Sequence, residues 1–404
     1  MTFLNTGITG PTGFLANGIY CGLRKNKTKM DLAMIYSEVP CAAAAMYTQN
    51  KVKGAPLLIT QKHLENKTAQ AVICNSGNAN TCNADGLQKA TQMAEVTAQA
   101  LSIEPSAVLV ASTGVIGQPL NIDAIISGVP PLAKSLSRDG DLAAATAIMT
   151  TDTVVKNLCV EFLVGNTPVK IGGMAKGSGM IHPNMATMLG FLTSDAAISG
   201  AMLEKALHHV TNRTFNCISI DGDTSTNDMV CILANGLAKN EEITAEGPAF
   251  DAFCEALMAI CTKMSRMIAK DGEGATKLLE CHVFGCELEN RAQALAKSVI
   301  MSSLVKSAFF GADANWGRIL CALGYCDTVL DVTKIDVVLS SRMGEILVCK
   351  DGAGVDFSEE IAKKILLEDE IRIDINLKDG FESATAWGCD LTYDYVRING
   401  DYRT

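Results

Sequence analysis

The stretch Met174-Ala-Lys-Gly-Ser-Gly-Met-Ile-His-Pro-Asn-Met-Ala-Thr187-Met-Leu-Gly-Phe-Leu-Thr-Ser-Asp195 changes character halfway along. It opens as a Gly-containing loop that Pro183 stiffens. It then runs directly into Thr-Met-Leu-Gly-Phe-Leu-Thr, which reads as a strand. Small residues flank a single threonine, Thr187, at the loop–strand junction. A chain can present a reactive hydroxyl this way, held by the strand and reachable through the loop. A threonine entering a strand is far more often structural, so on its own the motif is only a hypothesis.

Working outward, the hydrophobic pattern keeps switching period. Upstream, residues 87–102 are rich in Ala, Gln and Glu and predict a helix, and the apolar run 107–111 predicts a buried strand. Residues 159–164 and 169–171 read as a strand pair around the turn that begins at Gly165. Downstream, 202–213 predicts a helix and 216–220 a strand. Residues 248–270 carry Phe250, Phe253, Cys254, Leu257, Met258, Cys261, Met264, Met267 and Ile268 on one helical face. Strand-like runs return at 335–339, 345–348, 371–377 and 391–398, with helical patterns between them. The pattern is mixed α/β, without internal repeats. Asp271-Gly-Glu-Gly-Ala-Thr276 lies between the long helix and a strand, so the expected boundary separates a body over 1–275 from a smaller α/β domain over 276–404.

Composition excludes several function classes. The 404 residues carry 34 Lys and Arg against 44 Asp and Glu, a net charge of −10, with no basic run of the kind nucleic-acid proteins use. Nearly half the residues are hydrophobic, enough to offset chain entropy, so disorder is excluded. No run of 18 apolar residues predicts a membrane span, and the first residues do not read as a secretory signal. The fifteen cysteines are odd in number and contain no C-x-x-C pair. Most stand in apolar runs, which predicts buried thiols in a reducing cytoplasm.

Familiar motifs fail one by one. Lys176-Gly-Ser-Gly179 places the lysine on the wrong side for a P-loop, and no dinucleotide fingerprint follows a strand. His63, His182, His208, His209 and His282 form no metal-ligand spacing, and no metal is expected. Asp221-Gly-Asp-Thr-Ser-Thr-Asn-Asp228 resembles a calcium loop but has Thr226 where the loop glycine belongs and Ile232 where the closing glutamate belongs. It is read as a polar turn whose carboxylates accept from backbone N–H groups. The spacing around Ser178 does not match a nucleophile elbow, and no credible Asp–His pair follows. Small hydroxyl residues and backbone groups are left to carry any chemistry.

The segment Lys176–Leu189 closely resembles the self-cleaving segment of the glutamate N-acetyltransferase family, also called ornithine acetyltransferase. The resemblance extends along nearly the whole chain. It includes Asn75-Ser-Gly-Asn-Ala-Asn80, Ser112-Thr-Gly-Val-Ile-Gly117, Met149-Thr-Thr-Asp-Thr153, the 221–228 block, Lys270-Asp-Gly-Glu-Gly-Ala-Thr276, Asp313-Ala-Asn-Trp-Gly-Arg318 and the terminal block 395–404. One position departs: His182 precedes Pro183, where a small residue is expected in many relatives.

The resemblance implies a layered αββα sandwich with mixed sheets, an N-terminal-nucleophile-like architecture, plus a smaller C-terminal α/β domain. It implies cleavage between Ala186 and Thr187, giving an α chain (1–186) and a β chain (187–404) that assemble two and two. Thr187 becomes the nucleophile, and Thr113 and Gly114 match the oxyanion pair. Thr150, Lys176, Thr187, Glu273, Asn399 and Thr404 match the substrate contacts, with the C-terminal tail returning to the site. The implied reaction moves acetyl from N2-acetylornithine to glutamate, without a cofactor; whether acetyl-CoA also donates stays open. The competing reading is an N-terminal-nucleophile aminopeptidase or amidohydrolase of the same fold type.

Overall fold

The computed structural model describes residues 1–182 and 188–400. The strands, in chain order, begin with β1 (Thr2–Leu4), β2 (Phe14–Ile19), β3 (Leu32–Tyr47), β4 (Thr68–Asn75) and β5 (Val108–Ser112). They continue with β6 (Lys156–Val164), β7 (Thr167–Lys176), β8 (Leu189–Ser194), β9 (Ile218–Ser219), β10 (Met229–Ala234) and β11 (Leu278–Cys286). The last are β12 (Asp336–Ser341), β13 (Gly344–Lys350), β14 (Ala353–Gly354), β15 (Glu370–Asn376) and β16 (Glu382–Cys389). The helices are α1 (Ala55–His63), α2 (Gly86–Leu101), α3 (Ile122–Lys134), α4 (Asp141–Ala147), α5 (Gly200–Arg213) and α6 (Pro248–Lys270). They end with α7 (Glu289–Met301), α8 (Ser303–Phe310), α9 (Trp316–Gly324), α10 (Glu359–Leu366) and α11 (Tyr393–Gly400).

The chain divides into two compact units. The first holds 1–177, 183–212 and 224–264; the second holds 178–182, 213–223 and 265–404. The division thus falls before the boundary expected at 275/276, and two short segments leave the body for the second unit. Hydrogen bonding explains both. β9 pairs with β16 of the second sheet, and Ile220 N donates to Ile181 O at 2.7 Å.

In the first unit the sheet runs β1-β6-β7-β8-β10-β3-β4-β5, with β2 also paired to β3. The β8–β10 and β4–β5 pairs are parallel and the rest antiparallel. Alternate residues serve two cores. Leu32, Met34, Ala71, Ile73, Val108 and Val110 pack with Met93, Ala94 and Ala98 of α2 and with Ile125, Val129 and Leu132 of α3. Ala33, Ile35, Val72, Cys74, Leu109 and Ala111 belong to the core that includes Ala144, Ala145 and Ala147 of α4. Burial on both faces is why β4 and β5 read as continuous apolar runs rather than alternating ones. The second unit's sheet runs β14-β13-β12-β15-β11-β16-β9, again with parallel (β11–β15, β16–β9) and antiparallel pairs. The mixed α/β class with mixed sheets is therefore the observed one.

Three sequence expectations are corrected. Of residues 391–398, expected as a strand, 393–398 belong to helix α11. Their alternation suits a strand, but Val396 is 70% exposed and gains nothing from a sheet face. Thr392 sets the helix start instead, giving its hydroxyl to Gly274 O at 2.6 Å and accepting from Asp394 N at 3.2 Å. β16 occupies a stretch expected to be helical. Of 216–220 only Ile218–Ser219 is strand, because a 3-10 turn (Phe215–Cys217) takes the preceding residues.

Candidate active site

Ala186, Thr187 and Thr404 lie outside the described residues, and the remaining candidates fall in both units. In the first, β4 and β5 run parallel with Asn75 opposite Ser112, so the loops that follow leave from the same sheet end. Ligands favour the carboxyl ends of parallel strands in open α/β sheets. Thr113 and Gly114 stand there, both half-buried. Thr113 N donates to Asn75 O at 2.9 Å. Asn75 Nδ2 donates to Ser112 Oγ at 2.7 Å, while its Oδ1 accepts from Gly77 N and Asn78 N. Gly114 has φ +133°, and a Cβ there would lie 2.7 Å from Asn78 N, so only glycine fits this close approach. Among the described residues, neither the Thr113 hydroxyl nor the Gly114 N–H has a hydrogen-bond partner.

Lys176 ends β7 opposite Leu189, the first residue of β8, and is only 7% exposed. Among the described residues its ammonium has no hydrogen-bond or ion-pair partner. The neighbouring anion is Asp152. Its Oδ1 accepts from Lys156 Nζ at 2.9 Å and Gly177 N at 2.6 Å, and its Oδ2 from Thr150 N at 3.0 Å. Burial would push the Asp152 carboxyl up. The charges of Lys176 and Lys156, with the N–H bonds from Thr150 and Gly177, outweigh burial and bring it down to about 2. Asp152 therefore stays ionised and ties the backbone of Thr150 to the peptide that follows Lys176.

Arg24 joins this cluster to the strand ends, donating to Ser76 O and Met149 O. Lys176 and Arg24 also act on Cys74, at the end of β4. Burial still pushes that thiol up to about 12, so it is no nucleophile near neutral pH.

In the second unit, Asp221 accepts from Met180 N at 2.6 Å and Ile181 N at 2.8 Å, tying down the chain just before His182. This is the role expected for carboxylates of the 221–228 block. Ser178 gives its hydroxyl to Asp271 O at 2.6 Å and accepts Glu273 N through its carbonyl at 2.9 Å. Asn399 Nδ2 donates to Glu273 Oε2 at 2.7 Å, so two expected substrate residues touch. Glu273 is buried. His182 Nδ1 lies 3.2 Å from Ser219 Oγ, and burial with the Lys297 charge lowers its pKa to about 4.

Sequence reasoning gave no role to Asp152 or Asn227, although both sit in quoted blocks. The available signal for Asp152 was its i,i+4 spacing to Lys156 beside Thr150. For Asn227 no local signal existed, because its partners come from distant segments. Among the described residues no group of three His, Cys, Asp or Glu could hold a metal ion, and no helix is long and apolar enough to cross a membrane. All fifteen cysteines are free thiols.

The chain is thus a mixed α/β protein with a hydroxyl and an N–H just past the ends of the parallel strands β4 and β5 and a buried ammonium at the end of the antiparallel strand β7. Residues 15–404 match the ArgJ family model, and the chain belongs to the ArgJ family. The arginine biosynthesis bifunctional protein ArgJ 1 of Clostridium acetobutylicum is 51% identical over 401 residues, 99% of this chain and 98% of its own. The crystal structure of arginine biosynthesis bifunctional protein ArgJ from Bacillus halodurans aligns at 48% identity with a TM-score of 0.51, covering 53% of this chain and 99% of that one. Ornithine acetyltransferase of Mycobacterium tuberculosis, solved with ornithine, aligns at 35% identity over 45% of this chain and 98% of its own, with a TM-score of 0.39.

Proposed function

We propose that this chain moves acetyl from N2-acetylornithine to glutamate through an acetyl-Thr187 intermediate. The enzyme class follows from the family: the chain is an ornithine acetyltransferase of arginine biosynthesis. The observation that supports the mechanism is that the Thr113 hydroxyl and the Gly114 N–H have no hydrogen-bond partner among the described residues.

Maturation comes first. Thr187 Oγ adds to the Ala186 carbonyl, the peptide C–N bond breaks, and an ester forms as the α-amine is released. Water then hydrolyses the ester, leaving Ala186 as a carboxylate and Thr187 with a free amine and hydroxyl. An α-amine has a reference pKa of about 7.7–8.0, so it accepts the hydroxyl proton near neutral pH. The solved Bacillus halodurans chain supports a cut: just over half of this chain matches nearly all of it, the share held by residues 187–404.

In transfer, Thr187 Oγ attacks the acetyl carbonyl, and the amine passes the proton to the leaving α-nitrogen of ornithine. Glutamate's α-amine then attacks the ester, forming N-acetylglutamate and restoring Thr187. Both steps pass through an oxyanion that the Thr113 hydroxyl and Gly114 N–H stabilise, each such donor contributing about 2.7–4 kcal/mol. Lys176 takes the α-carboxylate that both substrates share, and Thr150 a substrate backbone group. Glu273, with Asn399, takes the amino group, and Thr404 completes the set. The relatives' name, bifunctional protein, supports acetyl-CoA as a second donor to glutamate. The free thiols fit a reducing cytoplasm, and the family resemblance implies that the cut chains assemble as two α and two β.

A half-reaction tests this. Enzyme mixed with N2-acetylornithine alone releases one ornithine per active chain and gains one acetyl mass on the 187–404 chain; added glutamate removes it. Continuous acetate release, indifferent to glutamate, would make the protein an amidohydrolase instead.

A further inference from the structure

We propose that Asn227 is a positioning residue that sets the oxyanion pair Thr113–Gly114, a role that rests on reading that pair as oxyanion donors. Asn227 is the penultimate residue of the Asp221–Asp228 block, to which the reaction above gives no catalytic part. Its side chain is 5% exposed, and all of its amide capacity is used. Nδ2 donates to Ala79 O at 2.6 Å and to Ser112 O at 3.0 Å. Oδ1 accepts the hydroxyls of Thr81 and Thr226, each at 2.6 Å. The amide can face only this way, because its flipped form would set an oxygen against two carbonyl oxygens.

The bond to Ser112 O matters because that carbonyl belongs to the peptide unit leading into Thr113. The N–H of the same unit donates to Asn75 O at 2.9 Å. Both polar ends of this peptide are thus held, one by Asn227 and one by Asn75. The next N–H, that of Gly114, is left uncommitted among the described residues. Asn227 also clamps the loop after β4 through Ala79 and Thr81, and Gly114 packs on that loop at Gly77 and Asn78.

Two further contacts concern this amide and the segment that carries it. Gly54 gives it room: a Cβ there would lie 2.6 Å from Asn227 Nδ2. Two residues on, Met229 N donates to Met188 O at 3.1 Å, and Met188 follows Thr187 in the chain. One short segment, 226–229, therefore ties the peptide before the oxyanion pair and the residue after the nucleophile.

The test uses the matured enzyme loaded with 13C-carbonyl acetyl from N2-acetylornithine, with rates divided by the fraction of chain carrying N-terminal Thr187. Asn227→Ser lowers the acetylation rate about 10- to 100-fold with KM within about twofold, because the interaction it supports is made in the transition state. The ester C=O stretch of the acetyl-enzyme moves to higher frequency as its donors are lost. Thr113→Ala in the Asn227→Ser background adds less than it does alone, since the two act as a unit. Where Asn227→Ser does not fold, Thr81→Val and Thr226→Val each remove one bond to Oδ1 and move rate and stretch in the same directions by less. Fully multiplicative effects, or an unchanged stretch in folded variants, overturn the proposal. A normal rate and stretch in Thr113→Ala alone would instead overturn the oxyanion reading beneath it.

Discussion

The Asp152 carboxylate and the Lys156 ammonium meet at 2.9 Å with both side chains fully withdrawn from solvent. A buried pair of this kind adds little net stability over an apolar pair, but breaking it leaves a stranded charge. Asp152 also orders Thr150 N and Gly177 N, next to Lys176. Asp152→Ala therefore destabilises the protein by about 3–5 kcal/mol in denaturant melts. Asp152→Asn combined with Lys156→Met restores most of that loss and still raises KM, because Lys176 has lost its neighbouring anion. A double variant with unchanged KM would reduce Asp152 to a core ion pair.

Acid stability carries two separable contributions. His182 has its folded pKa lowered to about 4, below the unfolded reference of about 6.5. Its neutral form is favoured by folding, so its contribution is complete above pH 6.5 and lost as pH falls towards 4. Asp152 is lowered to about 2, so its contribution is present above about pH 4 and lost as pH falls towards 2. His182→Gln flattens the stability curve between pH 6.5 and 4 and leaves the lower limb in place. Urea midpoints measured across this range decide it.

Two substitutions test the proposed oxyanion pair. Thr113→Ala removes a donor and lowers kcat about 100- to 1,000-fold with little change in KM. Gly114→Ala adds a Cβ 2.7 Å from Asn78 N at φ +133°, so its backbone must move and activity falls at least as far. Steady-state kinetics on matured protein would expose a failure as a KM effect without a kcat effect.

The proposed substrate residues separate by what they touch. Lys176→Met raises KM for N2-acetylornithine and glutamate alike, by about 10- to 100-fold, since both offer an α-carboxylate to an ammonium that has no hydrogen-bond or ion-pair partner among the described residues. Asn399→Ala acts through Glu273, to which it donates at 2.7 Å, and has a smaller effect than Glu273→Gln. A Lys176→Met enzyme with normal KM for both substrates removes the carboxylate assignment.

Local patterns proved legible where one segment carries its own signal. The single apolar face over 248–270 gave helix α6 to the residue, and the run 107–111 lies within one residue of β5. Residues 391–398 misled because an alternating pattern without a sheet face to bury it can still turn helical. Thr113, Gly114, Lys176, Glu273 and Asn399 stand in contiguous blocks that the family resemblance covers, so the resemblance names them as candidates. Asn227 also stands in such a block, but nothing local marks it, since its carbonyl partners Ser112 and Ala79 are 115 and 148 residues away. Asp152 reaches Gly177 across 25 residues, and only the β6–β7 pairing brings them near.

The intact mass of the purified protein under denaturing conditions tests the central claim most directly. The account predicts two chains, of 186 and 218 residues, that together make up the 404, the longer one beginning at Thr187. Thr187→Ala then gives a single uncut chain that is inactive in acetyl transfer. A wild-type protein that transfers acetyl while remaining one chain of 42.8 kDa would contradict the N-terminal nucleophile and the mechanism built on it.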